Sequence, residues 1–454
     1  MSDFKVGFST VNVNPPLGIG IAGYFIPRYA KGFLDDLDLR TLALSCGGKQ
    51  IVMISIPNCN NFFADRYAEE IEKATGLSRD NLFIAATHTH TGPRTKPSAE
   101  TTEEDLVLIN KYVDFLIERM IDGTKLALAD LRPAKMGYIY GWAPERVAYI
   151  RRYKMKDGST MTCPPINDPN IDHPIGTLDQ RVNVLRFDRE GAESIVLVNY
   201  GLHADTTNGE FISADWPGWM YSTIEKALDG TKCIFFPGAE GDVGSTNVHV
   251  KPGDGDMNDT EISFDNEMKS PGMARFVGRA IAGTVLQVYD KVQYIDVDKI
   301  NIIRHNVPVL SNRPEPEELP LAHKYKELHE AGRDDLIPYS AMELTTVVAE
   351  ALRMCRLEDA PREFVLNLTG LQIGEVALVG IPGEPFTDIG VGIKEAEGWS
   401  LILPCALTNG AFGYFPMKSA YDEGGYEARS SNYKSGVAER IIEGGIEVLN
   451  KLKN

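Results

Sequence analysis

A chain of 454 residues, 43% hydrophobic and 24% charged, can bury a large core, and no stretch is long and apolar enough to span a bilayer, so a membrane-spanning protein is excluded. The net charge of −18 and a pI near 5.0 argue against phosphate-backbone binding through clustered Lys and Arg, which excludes nucleic acid as a partner. Cys46, Cys59, Cys163, Cys233, Cys355 and Cys405 are scattered without a Cys-x-x-Cys pair, and MSDFKVGFSTVNVNPP has no charged leader before an apolar run, so free thiols in the cytoplasm are the expectation.

Residues 6–12 read as a strand, and Pro15-Pro16 with glycines at 18, 20 and 23 reads as a loop able to approach a site closely. Residues 39–45 and 51–56 predict paired strands around a Gly47-Gly48 turn. Phe63, Tyr67, Ile71 and Ala74 fall at helical spacing before a Gly76 stop, and residues 82–86 form a short apolar run. The order strand, helix, strand predicts a βαβ unit with a parallel pair. Leu106, Ile109, Val113, Leu116 and Met120 predict an amphipathic helix ending before Asp122-Gly123. Strands are expected at 135–140, 182–187 and 194–200, the last running on to His203. A helix over 217–228 is entered through Asp215-Trp216-Pro217, with Asp215 as its cap, and a strand at 232–236 leads into PGAEGDVGSTN. Residues 251–267 read as a solvated acidic loop without EF-hand spacing. Residues 319–352 predict two helices separated by Gly332 and Pro338, with His323 and His329 at the surface. Strands at 365–370, 375–379 and 401–407 and a helix at 435–451 complete the pattern.

A length prior of roughly three domains applies, yet no proline-rich linker or composition shift divides the chain. The expected fold class is α/β: mixed β-sheets flanked by helices, one catalytic domain over residues 1–454 with a helical insertion at about 314–356.

The segment ATHTHTGP sets His88 and His90 one residue apart behind an apolar run. Alternate residues of a strand share a face, so both rings point the same way if the strand continues to them. Imidazole is the commonest metal ligand and general base near neutral pH. The plain alternative is two loop histidines bonded to backbone. His203 after IVLVNYGL and Glu384 after VALVGIPG repeat the placement, and ligands of open α/β sheets gather outside the carboxyl ends of strands. Two histidines, a carboxylate and an open position make a catalytic zinc arrangement. Taken singly, His203 also reads as a core histidine and Glu384 as a helix-capping acid beside Pro385.

In this order, ATHTHTGP, NYGLHADTT, GAEGDVG, IPGEP and the loop ending YEARSS resemble the catalytic domain of the neutral/alkaline non-lysosomal ceramidase family. The resemblance covers nearly the whole chain and implies a zinc amidase-like site. It implies His88, His203, Glu384 and Tyr414 as metal ligands, His90 as acid or base, Tyr426 as an oxyanion-holding tyrosine, and an arginine of YIRRY, Arg151 rather than Arg152, as a substrate contact. Two departures stand out. Gly244 occupies the family's functional serine position, with Ser245 one residue later, and the chain stops at Asn454 without room for the family's immunoglobulin-like second domain.

The function these observations imply is zinc-dependent hydrolysis of an amide, or less readily an ester, in a small soluble substrate. Asp242 is either an acceptor that orients a histidine or a turn-forming residue. A metal-dependent isomerase or lyase, a metal-containing binding protein without turnover, and a hydrolase using Ser245 as nucleophile remain open. Oligomeric state is not encoded in any motif.

Overall fold

The strand Ser194–Tyr200 is buried on both faces, and its two faces serve different layers. Ile195 and Leu197 point into a core shared by two sheets, while Val196 and Val198 point to a core shared with helices. This period-two division repeats along the chain and yields four layers: helices, a large sheet, a smaller sheet, and helices again.

The computed structural model describes residues 3–97, 101–249 and 269–453, so the acidic loop expected at 251–267 lies outside the described residues. Among the described residues, the large sheet has nine strands. Its path runs Thr231–Pro237, Ser194–Tyr200, Arg181–Arg189, Arg132–Trp142, Lys5–Asn12, Asp38–Cys46, Lys49–Ile56 and Leu82–Ala86, with Gln293–Ile295 added on Arg132–Trp142. The smaller sheet runs Ile300–Leu310, Glu363–Ile373, Val376–Gly380 and Leu401–Cys405. Phe8, Leu42, Met53, Phe83 and Phe236 of the first meet Ile302, Leu371, Leu378 and Leu403 of the second in one core. Outside them, Ala64–Thr75 and Glu103–Ala129 cover one half of the large sheet, Asp215–Ala227 and Pro271–Val288 the other, and Thr387–Lys394 and Val437–Lys453 cover the smaller sheet. The mixed, helix-flanked sheets are the expected fold class.

Both sheets are antiparallel except at three places. Lys49–Ile56 pairs parallel with Leu82–Ala86, Ser194–Tyr200 with Thr231–Pro237, and Val376–Gly380 with Leu401–Cys405. Each parallel pair is bridged by one helix, so the molecule contains three βαβ units. Residues between Leu310 and Glu363, which are paired neighbours in the smaller sheet, form a helical hairpin of Leu319–Glu330 and Ala341–Leu357.

The helix expected to stop before Asp122-Gly123 continues to Ala129. Gly123 does not end it because its missing side chain is used for packing. A Cβ there would lie 2.9 Å from Thr41 Oγ1 and 3.1 Å from Leu39 Cδ2 on the sheet beneath. Gly123→Ala gains helix propensity of about 1 kcal/mol but overpacks this contact by about 1–3 kcal/mol. A net fall in the urea midpoint is the expected outcome; a rise would show that the sheet yields.

Candidate metal centre

The three βαβ units place five residues just beyond the carboxyl ends of their parallel strands, Cys59 and His88, His203 and Glu240, and Glu384, and the loop after the sixth, Leu401–Cys405, carries Tyr414. Within each unit, a residue after one strand fixes the residue after the other. Cys59 O accepts from His88 Nδ1 at 2.6 Å, and Glu240 O accepts from His203 Nδ1 at 2.8 Å. Glu384 pairs with Tyr414 in a short parallel bridge, with Glu384 N donating to Gly413 O at 2.9 Å.

Tying Nδ1 of both imidazoles to carbonyls aims each Nε2 at one point. His88 Nε2 and His203 Nε2 each lie 3.3 Å from Glu384 Oε2. All three residues are buried, and their ligand atoms lie within 4.8 Å of one another. Two imidazole lone pairs facing a carboxylate repel unless a positive charge sits among them. In the protein alone a proton fills that role. Burial opposes charging His88, but Glu384 and Cys59 together raise the imidazole well above its ordinary value, and against burial His88 and His203 hold the Glu384 carboxyl well below the usual range. His203 is pushed down to about 4, by burial and then by Arg151. The donor set and its convergence fit a metal cation.

His88 and His90 do not share a strand face, because the strand ends at Ala86. His88 instead adopts a left-handed backbone with φ 67°, its N–H bonded to Asn58 O, while His90 N–H reaches Ala204 O in the His203 loop. The rings still meet, Nε2 to Nε2 at 3.3 Å. The strand expected to reach His203 likewise ends at Tyr200. Asp215 lies inside its helix, not at the cap, and its carboxylate accepts from Thr206 N and Thr207 N at 3.0 Å each, anchoring the loop that carries His203. The Gly18–Arg28 loop does come close, since a Cβ on Gly23 would lie 2.7 Å from the His90 ring.

Arg151 and Arg152 diverge, as neighbours on an extended backbone must. Arg151 Nη1 lies 3.3 Å from His203 Nε2, its Nε donates to Glu427 Oε1 at 2.8 Å, and its Nη2 to Gly241 O at 2.7 Å. Arg152 turns away to Glu423 Oε2 and Gly424 O. Tyr414 stacks near His203 at 6.5 Å between centroids, and the Tyr426 ring meets Tyr414 edge-on at 5.7 Å. Burial and then Glu384 hold both phenols protonated, Tyr414 well above its usual value.

Asp242 meets no histidine. Its Oδ1 accepts from Thr387 N at 2.7 Å and Thr387 Oγ1 at 2.9 Å, at the start of the helix after Glu384, and burial lifts its pKa to about 6 against those bonds. Gly244 leaves room for a side chain, since a Cβ would meet only Arg151 Cβ and Cδ, at 3.8 Å. Ser245 is buried and lines a hollow of about 40 Å³ with Arg151, His203, Asp205 and Lys269.

The site opens into a cavity of about 560 Å³ with a polar floor of His90, Arg151, Asp205, Lys269, Tyr414 and Tyr426. Phe25, Ile26 and Pro27 from one side and Met342, Leu344 and Val348 of the helical hairpin from the other make an apolar mouth. His329, expected at the surface, lines this cavity with its side chain 12% exposed, edge-on to Phe25 and bonded to Asp334; His323, 45% exposed, is the surface residue of the pair.

Sequence reasoning missed Glu427, Asp205, Lys269, Tyr24 and Glu240. Glu240 is 0% exposed and neither carboxyl oxygen has a hydrogen-bond partner, and burial pushes its pKa from 4.5 up to about 8. A carboxyl raised on folding withdraws stability as pH rises from its unfolded value through its folded one, on the order of 5 kcal/mol once fully ionised. In metal-stripped protein, Glu240→Gln therefore raises the melting temperature at pH 9 and changes it little at pH 4. Equal shifts at both pH values would contradict this.

No protein-family model matches the sequence, and comparison with curated proteins finds no match. In structure the chain is similar to neutral ceramidase from Pseudomonas aeruginosa, with a TM-score of 0.72 at 17% identity, covering 100% of this chain and 75% of that one. A ceramidase complexed with C2 matches with the same TM-score and identity over 100% of this chain and 76% of that one. The resemblance read from the motifs is thus met in the fold.

Proposed function

We propose that this protein is a zinc-dependent hydrolase that cleaves an amide bond, or less readily an ester, in a small substrate. The observation carrying this reading is the convergence of His88 Nε2, His203 Nε2 and Glu384 Oε2, with both Nδ1 atoms tied to carbonyls, beside His90, Arg151 and Tyr414 of the cavity lining. Tyr414, held in register with Glu384, is the fourth ligand in this reading. When bound, zinc supplies Lewis acidity, polarising a carbonyl and rendering water acidic near neutral pH. His90 takes the proton from the attacking water and returns it to the leaving amine. Arg151 and Tyr426 direct their N–H and O–H groups at the developing oxyanion. The apolar mouth accommodates an acyl or aryl portion of the substrate. The ceramidase likeness supports amide hydrolysis at the level of fold. The scattered cysteines, with no Cys-x-x-Cys spacing, support a reducing compartment, and we place the protein in the cytoplasm.

The test is metal analysis joined to a screen of amides and esters. Purified protein is expected to carry about one zinc per chain, to lose hydrolysis in chelator, and to place solvent ¹⁸O in one product. A fully active metal-free preparation would sink the mechanism, and products without solvent oxygen would favour isomerisation or elimination.

A further inference from the structure

Beside His90 lies a half-buried polar cluster that the proposed chemistry leaves unused. Asp205 Oδ1 faces His90 Nδ1 at 3.7 Å and accepts the Tyr24 hydroxyl; Asp205 Oδ2 accepts from Lys269 Nζ at 2.7 Å, and Lys269 Nζ also donates to Tyr24 OH at 2.9 Å. Arg28 Nη2 donates to His90 O at 2.7 Å with its guanidinium 4.1 Å from the Tyr24 ring centroid, so ring and cluster are fixed to one scaffold. His90 Nδ1 is buried without a hydrogen-bond partner.

Building on the hydrolase reading, we propose that Asp205 is the positioning residue of His90: its carboxylate accepts from Nδ1–H, which keeps the hydrogen on Nδ1 and leaves Nε2 bare on the side of the metal ligands. A general base must present its lone pair toward the water it deprotonates, and His90 Nε2 is the atom beside His88 Nε2. A neutral imidazole with a bare Nε2 carries its hydrogen on Nδ1 and needs an acceptor there. Asp205 Oδ1, 3.7 Å away, is the carboxylate oxygen facing it. Lys269 and Tyr24 both bond to Asp205 and to each other, which fixes the orientation of its carboxylate.

The arrangement makes a sharp claim about Asp205→Asn. Lys269 is donor-only, so the amide oxygen of the variant must face Lys269 and the amide NH₂ must face His90. His90 Nδ1 then becomes an acceptor and Nε2 takes the hydrogen, the wrong tautomer for a base.

The experiment is ¹⁵N NMR of histidine-labelled protein loaded with zinc(II), with the His90 signals assigned by their loss in His90→Gln. Wild type is expected to show Nδ1–H and a bare Nε2. Asp205→Asn is expected to bind the same one equivalent of zinc and to show Nε2–H. Nε2–H in zinc-loaded wild type, an unchanged tautomer in Asp205→Asn, or loss of zinc from that variant would each overturn the proposal. A wild-type protein that takes up no zinc overturns the metal reading itself, and this inference with it.

Discussion

Replacing His88 is expected to abolish zinc binding and to lower turnover by at least about 10³-fold, while the far-UV circular dichroism stays that of wild type. The site then keeps His203 and Glu384 as its closest donors, and two protein ligands with a tyrosine do not hold a catalytic zinc at ordinary free concentrations. The choice of replacement matters because position 88 has φ 67°. Alanine there carries a left-handed backbone strain of about 1–2 kcal/mol, whereas asparagine tolerates it. His88→Asn and His88→Ala should therefore lose catalysis alike, with His88→Asn the more heat-stable. Metal analysis of both variants decides the matter: a full equivalent of zinc in either removes His88 from the ligand set.

Arg151→Met is expected to cost about 10²–10³-fold in kcat on any amide that the wild type cleaves, the usual loss for one oxyanion donor. It also strips the partner from Glu427, which is 0% exposed, at a cost of about 3–5 kcal/mol for an uncompensated buried charge. The two effects can be separated. Adding Glu427→Gln removes the stranded charge while keeping an acceptor near Thr162, whose hydroxyl donates to Glu427 Oε2 at 2.7 Å. The double variant should recover most of the thermal stability and none of the turnover. Recovery of both would mean that Arg151 acts only as a structural cation.

The strand positions, the helical hairpin and the placement of His88, His203 and Glu384 after apolar strands were legible because period-two burial and strand order act locally and leave a plain pattern, whereas the convergence of the three depends on which strands become neighbours. The reason for the His88–His90 meeting was not: it comes from a left-handed residue and from bonds to Asn58 and Ala204, which strand periodicity cannot express. Gly123 reads as a stop in any single helix, and only the sheet beneath makes it a contact. His329 reads as a surface residue because the Phe25 that covers it is about 300 positions away. Asp205 stood two residues from His203 in plain view, yet its importance rests on Lys269 and Tyr24, brought together from segments far apart in the chain.

The three βαβ units that carry the proposed ligands belong to two different sheets: His88 and His203 leave the large one, Glu384 the smaller. A cation held among them is also a rivet through both layers, so metal binding and the docking of one sheet on the other become a single equilibrium. Stability then rises with free metal according to mass action, and the interval before a protease finds an opened chain lengthens with it. A cell short of the metal would hold less of this protein as well as a less active one, and the supply of the ion would set the dose of the enzyme.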